Sequence, residues 1–290
     1  MLGGKDERIC AVSVSRQAKQ RGEILDEIMR YHREQLPKIM RGTPLSDLRA
    51  LASIAPAPVD FAGALQREGV RLIAECKKAS PSRGLMVPNY DAVRLAQQYV
   101  EAGASAISVL TDARHFQGSL DDLSNVRDML DTLPDERKVP LLRKDFLFHE
   151  YQIYEARAAG ADAVLLIAAV LGASDLRALM QLAQKLGMDA LVEVHTQAEL
   201  EQVLPLGPRV MGVNNRNLHT FEVDFENTAR LRDQIPADVV VVAESGIKTE
   251  ADVRRMADIG VDAILVGESL VRSKDPYAAA RALVKAGRRS

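Results

Sequence analysis

Several features that mark common classes of protein are missing from this 290-residue chain. It has no tryptophan and only 4% aromatic residues, which argues against recognition of stacked nucleic-acid bases. Its net charge of −2 provides no general attraction to nucleic acid or to an anionic membrane. No apolar run is long and uninterrupted enough to span a bilayer, and the N-terminus lacks the apolar core of a secretory signal. We therefore expect neither nucleic acid nor a membrane as a partner.

Cysteine and cofactor motifs are scarce as well. Cys10 and Cys76 are too few for a disulfide framework, which favours a reducing compartment, and we expect a cytoplasmic protein. The five histidines show no metal-ligand spacing. No P-loop, G-x-S-x-G elbow or G-x-G-x-x-G fingerprint is present. The sequence thus argues against a metal or dinucleotide enzyme, and no cofactor is expected.

The sequence does contain a repeated pattern of apolar runs that end on polar or charged residues. Six of them are LIAECKK, AISVLT, PLLRKDF, ALVEVH, VMGVNNRN and VVVVAESG, and ADAVLLIAAV and VDAILVGES complete the series. Such runs are typical of strands that are buried on both faces of a parallel sheet. From about residue 70 onward, each run is followed by a segment with helical periodicity. Eight strand–helix units over about 220 residues predict an α/β fold, the (β/α)8 TIM barrel.

A doubly wound open sheet is the structural alternative, but the loop KKASPSRGLMVP lacks the Gly-rich turn that often follows the first strand of such sheets. Residues 23–69 precede the repeat and predict extra N-terminal helices, so that residues 23–290 form one barrel domain with a helical extension. These helices would cover either the bottom of the barrel or its top, and periodicity does not decide between the two. Residues 1–22 show no period, and we expect them to be disordered.

Polar residues at the strand ends are expected to converge, because the C-terminal ends of all barrel strands face one mouth. For any single residue, a solvated strand end or a structural salt bridge is the alternative. Several ammonium and carboxylate groups in one cavity would shift one another's pKa values, which suits general acid–base chemistry. A lysine close to another lysine should shift toward neutrality. The converging residues are Glu75, Lys77, Lys144, Glu193, Asn214 and Glu244.

Glycines that follow the seventh and eighth runs indicate an anion site. Gly246 and Gly267 lie in these two loops, whose backbone N–H groups form the phosphate site that is frequent in this fold. Ser80 and Arg83, in the loop after the first run, would close over the phosphate, although the alternative for that loop is an ordinary surface turn. We therefore expect a small phosphorylated molecule as the partner.

The motifs AECKKASPSRG, SVLTDARHFQGSL, LLRKDF, LVEVH, GVNNRNL, AESGI and LVGES resemble those of the indole-3-glycerol-phosphate synthase family. The resemblance runs from about residue 23 to the C-terminus. It implies a carboxy-lyase of tryptophan biosynthesis that needs no cofactor or metal. Such an enzyme converts 1-(2-carboxyphenylamino)-1-deoxyribulose 5-phosphate to indole-3-glycerol phosphate, with release of CO2 and water. Other enzymes of tryptophan biosynthesis are candidate partners.

The resemblance also implies separate roles for the polar residues. Lys144 would be the general acid that protonates the substrate ketone, and Glu193 would stabilise charge on the substrate or take its proton. Glu75 and Lys77 would act in ring closure and dehydration. Asn214 and Glu244 would orient the substrate, the phosphate would bind Ser80, Gly246, Gly267 and the Glu268 backbone, and the pocket would be lined by Arg216, Ser245, Phe146, Leu110 and Ser108.

Two other functions remain as alternatives at this stage. One is a neighbouring phosphate-binding barrel such as phosphoribosylanthranilate isomerase, which needs a Cys or Asp acid–base pair that Lys77 and Lys144 do not resemble. The other is a non-catalytic barrel that binds a phosphorylated metabolite. A binding protein has no need of two lysines and three glutamates held together, so the sequence favours the synthase.

Overall fold

A computed structural model describes residues 6–217 and 222–288, with side chains from residue 24 onward except at residue 136. Eight parallel strands form a closed barrel in which each strand pairs with its neighbours along the chain and the eighth returns to the first. The predicted (β/α)8 barrel is therefore confirmed, and the open doubly wound sheet is excluded. The strands are β1 (Arg71–Cys76), β2 (Ala106–Leu110), β3 (Leu141–Lys144), β4 (Ala163–Ile167), β5 (Asp189–Val194), β6 (Val210–Asn214), β7 (Val240–Glu244) and β8 (Ala263–Val266).

Helices follow the strands in the predicted alternation, after three that precede the barrel. The first three are α1 (Asp6–Gly42), α2 (Leu45–Ile54) and α3 (Phe61–Leu65). The others are α4 (Ala92–Ala102), α5 (Leu120–Asp131), α6 (Glu150–Ala158), α7 (Ala173–Lys185), α8 (Gln197–Val203), α9 (Glu226–Arg232), α10 (Glu250–Ile259), α11 (Glu268–Val271) and α12 (Pro276–Gly287). Short 3-10 helices span Asp135–Arg137 and Leu204–Leu206, and a small hairpin joins Ala79–Ser80 to Gly84–Leu85.

Local capping explains where several of these helices begin and end. Ser119 and Thr249 accept hydrogen bonds from backbone N–H groups of the first turns of α5 and α10, as their spacing predicts. Gly103 and Gly260 end α4 and α10 in the left-handed conformation, which glycine adopts without steric cost. The ends of these helices are therefore set by residues close to them in the chain.

Strand alternation divides the apolar residues between two cores. One set packs between the barrel and its ring of helices, and the other fills the inside of the barrel. The interior set includes Ile73, Leu142, Leu165, Leu191 and Val242. The lower interior is thus apolar, and the charged side chains gather at the C-terminal strand ends around the mouth.

The N-terminal helices cover both ends of the barrel. Ile24, Leu25 and Ile28 of α1 line the cavity at the mouth. In contrast, Phe61 and Leu65 of α3 are fully buried against the interior residues at the opposite end. Of the two positions that the sequence allowed, α1 therefore occupies the top of the barrel and α3 occupies the bottom.

Helix α1 starts N-terminal to the segment that the sequence predicts to be helical. Helical backbone begins at Asp6, ahead of the predicted start of the extension at residue 23. The side chains of residues 1–22 lie outside the described part of the chain. The expected disorder of this segment therefore stays a prediction. None of the described helices combines the length and the hydropathy that crossing a bilayer requires.

Candidate active site

A cavity of about 450 Å³ opens at the C-terminal mouth of the barrel. The predicted site residues that line it are Glu75, Lys77, Ser80, Leu110, Lys144, Phe146, Glu193, Asn214, Arg216, Glu244, Ser245, Gly246, Gly267 and Glu268. The polar strand ends therefore converge on one cavity, as the sequence predicts.

Ser108 is the predicted site residue that does not line the cavity. It lies on β2 in register with Glu75 of β1, and its side chain is fully buried. Ser108 and Leu110 are two residues apart on β2, so both point into the barrel. Ser108 lies one layer deeper than Leu110. The structure therefore brings Ser108 beneath the site rather than into its wall.

Lys144 lies at the centre of the mouth, between two carboxylates from across the barrel. Its Nζ is 3.5 Å from Glu193 Oε2 and 3.4 Å from Glu244 Oε2. Both glutamates are almost wholly buried. An isolated buried charge is costly, so the protonation state of each of these groups depends on its neighbours.

The charge of Lys144 follows from this arrangement. Burial alone would lower the pKa of Lys144, but attraction to Glu244, Glu193 and Glu75 outweighs it and raises the pKa well above its usual range. The ammonium is therefore the resting form, which a general acid requires. The expectation that a lysine in this cluster shifts toward neutrality is wrong for Lys144, because attraction to the three carboxylates outweighs burial.

The two glutamates that flank Lys144 have different environments. Burial raises the pKa of Glu244. The attraction of Lys144 opposes that rise and the nearby negative charge of Glu193 adds to it, so the net shift is upward. Burial also acts on Glu193, but Lys144 and His195 outweigh it and lower the pKa of Glu193. Glu193 is therefore the member of the pair that favours the ionised form, and Glu244 is the member that takes up a proton more readily.

A second acid–base pair lies beside this cluster. Glu75 and Lys77 are two apart at the end of β1, so both side chains point into the mouth, and the ammonium pairs directly with the carboxylate. Cys76, between them, points outward and is buried, as predicted for a core residue. Alternation along the strand thus separates the chemical side chains from the packing side chain.

Close backbone approaches shape the cavity wall beside these carboxylates. A Cβ atom at Gly267 would overlap the Glu75 carboxylate, and a Cβ atom at Gly212 would overlap that of Glu244. Ser245 follows β7 with a φ of 67°, a conformation that is uncommon for residues other than glycine. Such strained backbone clusters at functional sites.

The predicted phosphate region is rich in arginine. The Glu268 carboxylate lies 3.0 Å from Arg83, 3.3 Å from Arg272 and 3.8 Å from Arg216. Three guanidinium groups around one carboxylate leave an excess of positive charge beside the glycine loops. The hydroxyl of Ser80 lines the same cavity and has no hydrogen-bond partner among the described residues.

Sequence reasoning missed several residues of the cavity wall. Phe116, Leu165, Ile167 and Phe225 supply apolar surface that no polar pattern indicates. His195 was also given no role, although it lies two residues after Glu193 and therefore points to the same side of β5. That spacing is the one signal that indicates it from sequence.

One group of possible metal ligands occurs among the described residues. Ligand atoms of His32, Asp112 and Asp145 lie within 4.8 Å of one another. Their carboxylate oxygens already accept hydrogen bonds from His32, Thr111, Arg143 and backbone N–H groups. The group is satisfied without an ion, and its geometry gives no reason to place one there.

Comparison with known proteins agrees with the geometry. A sequence model of the family described as "Indole-3-glycerol phosphate synthase" matches residues 25–283. The chain belongs to the indole-3-glycerol phosphate synthase family. An indole-3-glycerol phosphate synthase of Dehalococcoides mccartyi is 48% identical over 262 residues, which is 90% of this chain and 100% of the relative. That of Mycobacterium ulcerans is 46% identical over 264 residues, 91% of this chain and 94% of the relative.

Solved structures with the same barrel are much more distant in sequence. Thiamine phosphate pyrophosphorylase from Pyrococcus furiosus has a TM-score of 0.57 at 17% identity, covering 75% of this chain and 95% of that one. A 3-hexulose-6-phosphate synthase from Salmonella typhimurium has a TM-score of 0.55 at 12% identity, covering 75% and 98%. These likenesses support the TIM-barrel fold alone. Family membership, in contrast, favours the synthase over the isomerase and the non-catalytic alternatives.

Proposed function

We propose that this member of the indole-3-glycerol phosphate synthase family is a carboxy-lyase that uses 1-(2-carboxyphenylamino)-1-deoxyribulose 5-phosphate. The observation that carries the proposal is the Lys144 ammonium, held between Glu193 and Glu244 inside a cavity whose rim carries glycine loops and arginines. The substrate has a ketone to be protonated and a phosphate to be bound. The cavity offers an acid for the first and donors for the second.

The reaction consists of three steps whose demands match the groups at the mouth. The aromatic carbon that bears the carboxylate bonds to the ketone carbon, and the ketone oxygen takes a proton and becomes a hydroxyl. CO2 then leaves, and its bonding electrons restore the aromatic ring. In the last step the hydroxyl leaves as water, while a proton is removed from the neighbouring methylene carbon. Each proton transfer needs a positioned acid or base.

Lys144 supplies the proton for ring closure, because it is charged at rest and faces the open cavity. Glu193 stabilises positive charge on the substrate or takes its proton, since it is the ionised carboxylate of the pair. Glu244, whose pKa is raised, has its Oε2 3.4 Å from Lys144 Nζ and is placed to return a proton to Lys144 after donation. Glu75 and Lys77 act in ring closure and dehydration, and Asn214 orients the substrate hydroxyl groups.

Binding is divided between the two sides of the mouth. The phosphate contacts Ser80 and the backbone N–H groups of Gly246, Gly267 and Glu268, with Arg216 and Ser245 beside them. Leu110 and Phe146 form the wall for the carboxyphenyl ring. The reaction takes place in the cytoplasm, and other enzymes of tryptophan biosynthesis are its candidate partners.

The assignment of Lys144 is tested by the fluorescence of indole-3-glycerol phosphate formed from the proposed substrate. We expect the purified protein to form this product without added metal or cofactor. Lys144→Ala should lower kcat by at least about a thousandfold, roughly 4 kcal/mol of barrier, because it removes the acid of ring closure. Circular dichroism should show an intact fold.

Lys185→Ala is the matched control, since Lys185 is exposed on α7, away from the cavity. It should retain wild-type turnover. Activity of Lys144→Ala within about tenfold of wild type, roughly 1.4 kcal/mol, would contradict the assignment of Lys144 as the acid. Absence of product from the wild-type protein would contradict the proposed substrate itself.

A further inference from the structure

His195 occupies a position next to the catalytic cluster that none of the roles above requires. It follows Glu193 by two residues, so its ring enters the same layer of the barrel mouth, and only 7% of its side chain is exposed. Its Nε2 lies 3.2 Å from Glu193 Oε1, and its Nδ1 lies 3.4 Å from Glu199 Oε2. These are ion-pair distances, so the imidazole lies between two carboxylates.

Glu199 is itself held firmly at the start of α8. The sequence predicts a capping box in which Thr196 and Glu199 satisfy each other's backbone N–H groups. Thr196 does accept from the Glu199 N–H, at 3.3 Å. The Glu199 carboxylate, however, accepts from the backbone N–H of His195, at 2.6 Å. The carboxylate that would complete the cap is thereby turned toward the histidine.

The charged groups alternate in sign from the helix to the reaction centre. The order is Glu199 of α8, His195, Glu193 of β5 and Lys144 of β3, with Glu244 of β7 on the other side of Lys144. Asn227 of α9 also contacts this residue. It is uncharged, and its side-chain amide donates a hydrogen bond to the His195 carbonyl at 3.0 Å. Burial would lower the pKa of His195, but the two carboxylates outweigh it and raise the pKa to about 9.

We propose that His195 and Glu199 are a positioning pair that holds the Glu193 carboxylate through Oε1 and leaves Oε2 for Lys144. The inference rests on the catalytic roles proposed for Glu193 and Lys144. Its physical reason is the change of charge during ring closure. When Lys144 gives up its proton, Glu193 loses the positive charge on one side and would tend to take a proton itself. The imidazolium on the other side keeps Glu193 ionised through that step.

Two substitutions test the pair through the pH dependence of kcat/KM. His195→Gln retains an N–H donor but removes the positive charge, so the pKa of Glu193 should rise. The acidic limb of the profile should then move up by about one pH unit, with a fall in kcat of about tenfold or more. Glu199→Gln removes the anion that raises the pKa of His195, so the alkaline limb should move to lower pH.

A spectroscopic readout makes the test independent of turnover. The Hε1 proton resonance of His195, assigned by its loss in His195→Gln, should titrate near pH 9 in the wild-type protein. In Glu199→Gln the same resonance should titrate at lower pH. Glu201→Gln is the control, because Glu201 is an exposed residue of the same helix that pairs with Gln197. It should leave both the resonance and the profile unchanged.

The proposal would be overturned if the limbs of the kcat/KM pH profile stayed in place in both variants. A uniform fall in kcat would not rescue it, since loss of packing alone lowers activity at every pH. A wild-type His195 that titrates near its ordinary value would overturn it as well. These outcomes differ from failure of the proposed catalytic roles. If Lys144→Ala is inactive while the limbs do not move, only the positioning role is wrong.

Discussion

At the scale of single residues, the missing Cβ of two glycines allows carboxylates to sit inside the barrel mouth. Gly212 leaves room for Glu244, and Gly267 leaves room for Glu75. The sequence indicates Gly267 only through its place in a phosphate loop. In the structure Gly267 also has a second role, because the Glu75–Lys77 pair packs against it. A substitution there affects chemistry as well as binding.

We therefore expect Gly267→Ala to lower kcat by about tenfold or more, roughly 1.4 kcal/mol, in addition to raising KM. The methyl group would displace the Glu75 carboxylate, while the φ of −127° at Gly267 is open to alanine. Steady-state kinetics of the product fluorescence provide the measurement. Gly172→Ala is the control, since no atom lies within 4 Å of its Cβ position and its φ is −69°. A change in KM alone would show that Gly267 serves only the phosphate.

At the scale of elements, helix α1 is held over the mouth by a partly buried polar contact. His32 Nε2 lies 2.7 Å from Asp112 Oδ2, and Asp112 is 1% exposed. Burial would raise the pKa of Asp112, but hydrogen bonds from His32 and from the N–H groups of His115 and Phe116 outweigh it and lower the pKa. The ionised carboxylate therefore stabilises the fold above its ordinary pKa, and this stability is lost as the pH falls through the lowered one.

Loss of this contact should loosen the cover over the substrate. We expect His32→Ala to raise KM about three- to tenfold, roughly 0.7–1.4 kcal/mol, with a smaller change in kcat. The reason is that Ile24, Leu25 and Ile28 of the same helix line the cavity, whereas the reacting groups lie on the strands.

Glu34→Ala provides the control for this prediction, because Glu34 is exposed on the same helix. Its KM should equal that of the wild type. A fall in kcat with an unchanged KM in His32→Ala would mean that the helix acts on the chemistry and not on binding.

At the scale of the whole molecule, helix α3 and the catalytic layer lie at opposite ends of the barrel. Helix α3 closes the bottom, where the Ala62 N–H donates to Asp189 at 3.0 Å and Arg209 pairs with the same carboxylate at 2.7 Å. The polar catalytic layer lies at the other end. A TIM barrel commonly separates the two in this way, which allows each end to change without the other.

Phe61→Ala should test this separation. Phe61 is fully buried, so its loss should destabilise the protein by about 3–5 kcal/mol through lost burial and a cavity. The thermal midpoint should fall, while kcat and KM of the folded protein, measured well below that midpoint, should stay within about twofold of wild type, under 0.5 kcal/mol.

Leu51→Ala is the matched control, since Leu51 of α2 is 49% exposed and should change the midpoint little. A large rise in KM for Phe61→Ala at low temperature would show that the bottom of the barrel is coupled to the mouth.

Much of the fold follows from local patterns in the sequence. Apolar runs with polar ends predict β1–β8, and residues such as Thr249 and Gly260 mark where helices begin and end because capping depends on neighbours in the chain. The inward positions of Glu75, Lys77 and Glu193 follow from alternation. The resemblance to a known family then supplies roles that alternation alone does not assign.

What the sequence determined by itself is therefore the order of the strands and helices and the kinds of side chain at the mouth, since periodicity and capping act over a few residues. Only the tertiary structure decided that α1 covers the mouth while α3 closes the bottom, that Lys144 lies between Glu193 and Glu244, and that Ser108 lies beneath the site. It also turned Glu199 from the helix cap toward His195. The physical reason is that burial and the sign of neighbouring charges depend on groups that are distant in sequence and meet only when the barrel closes.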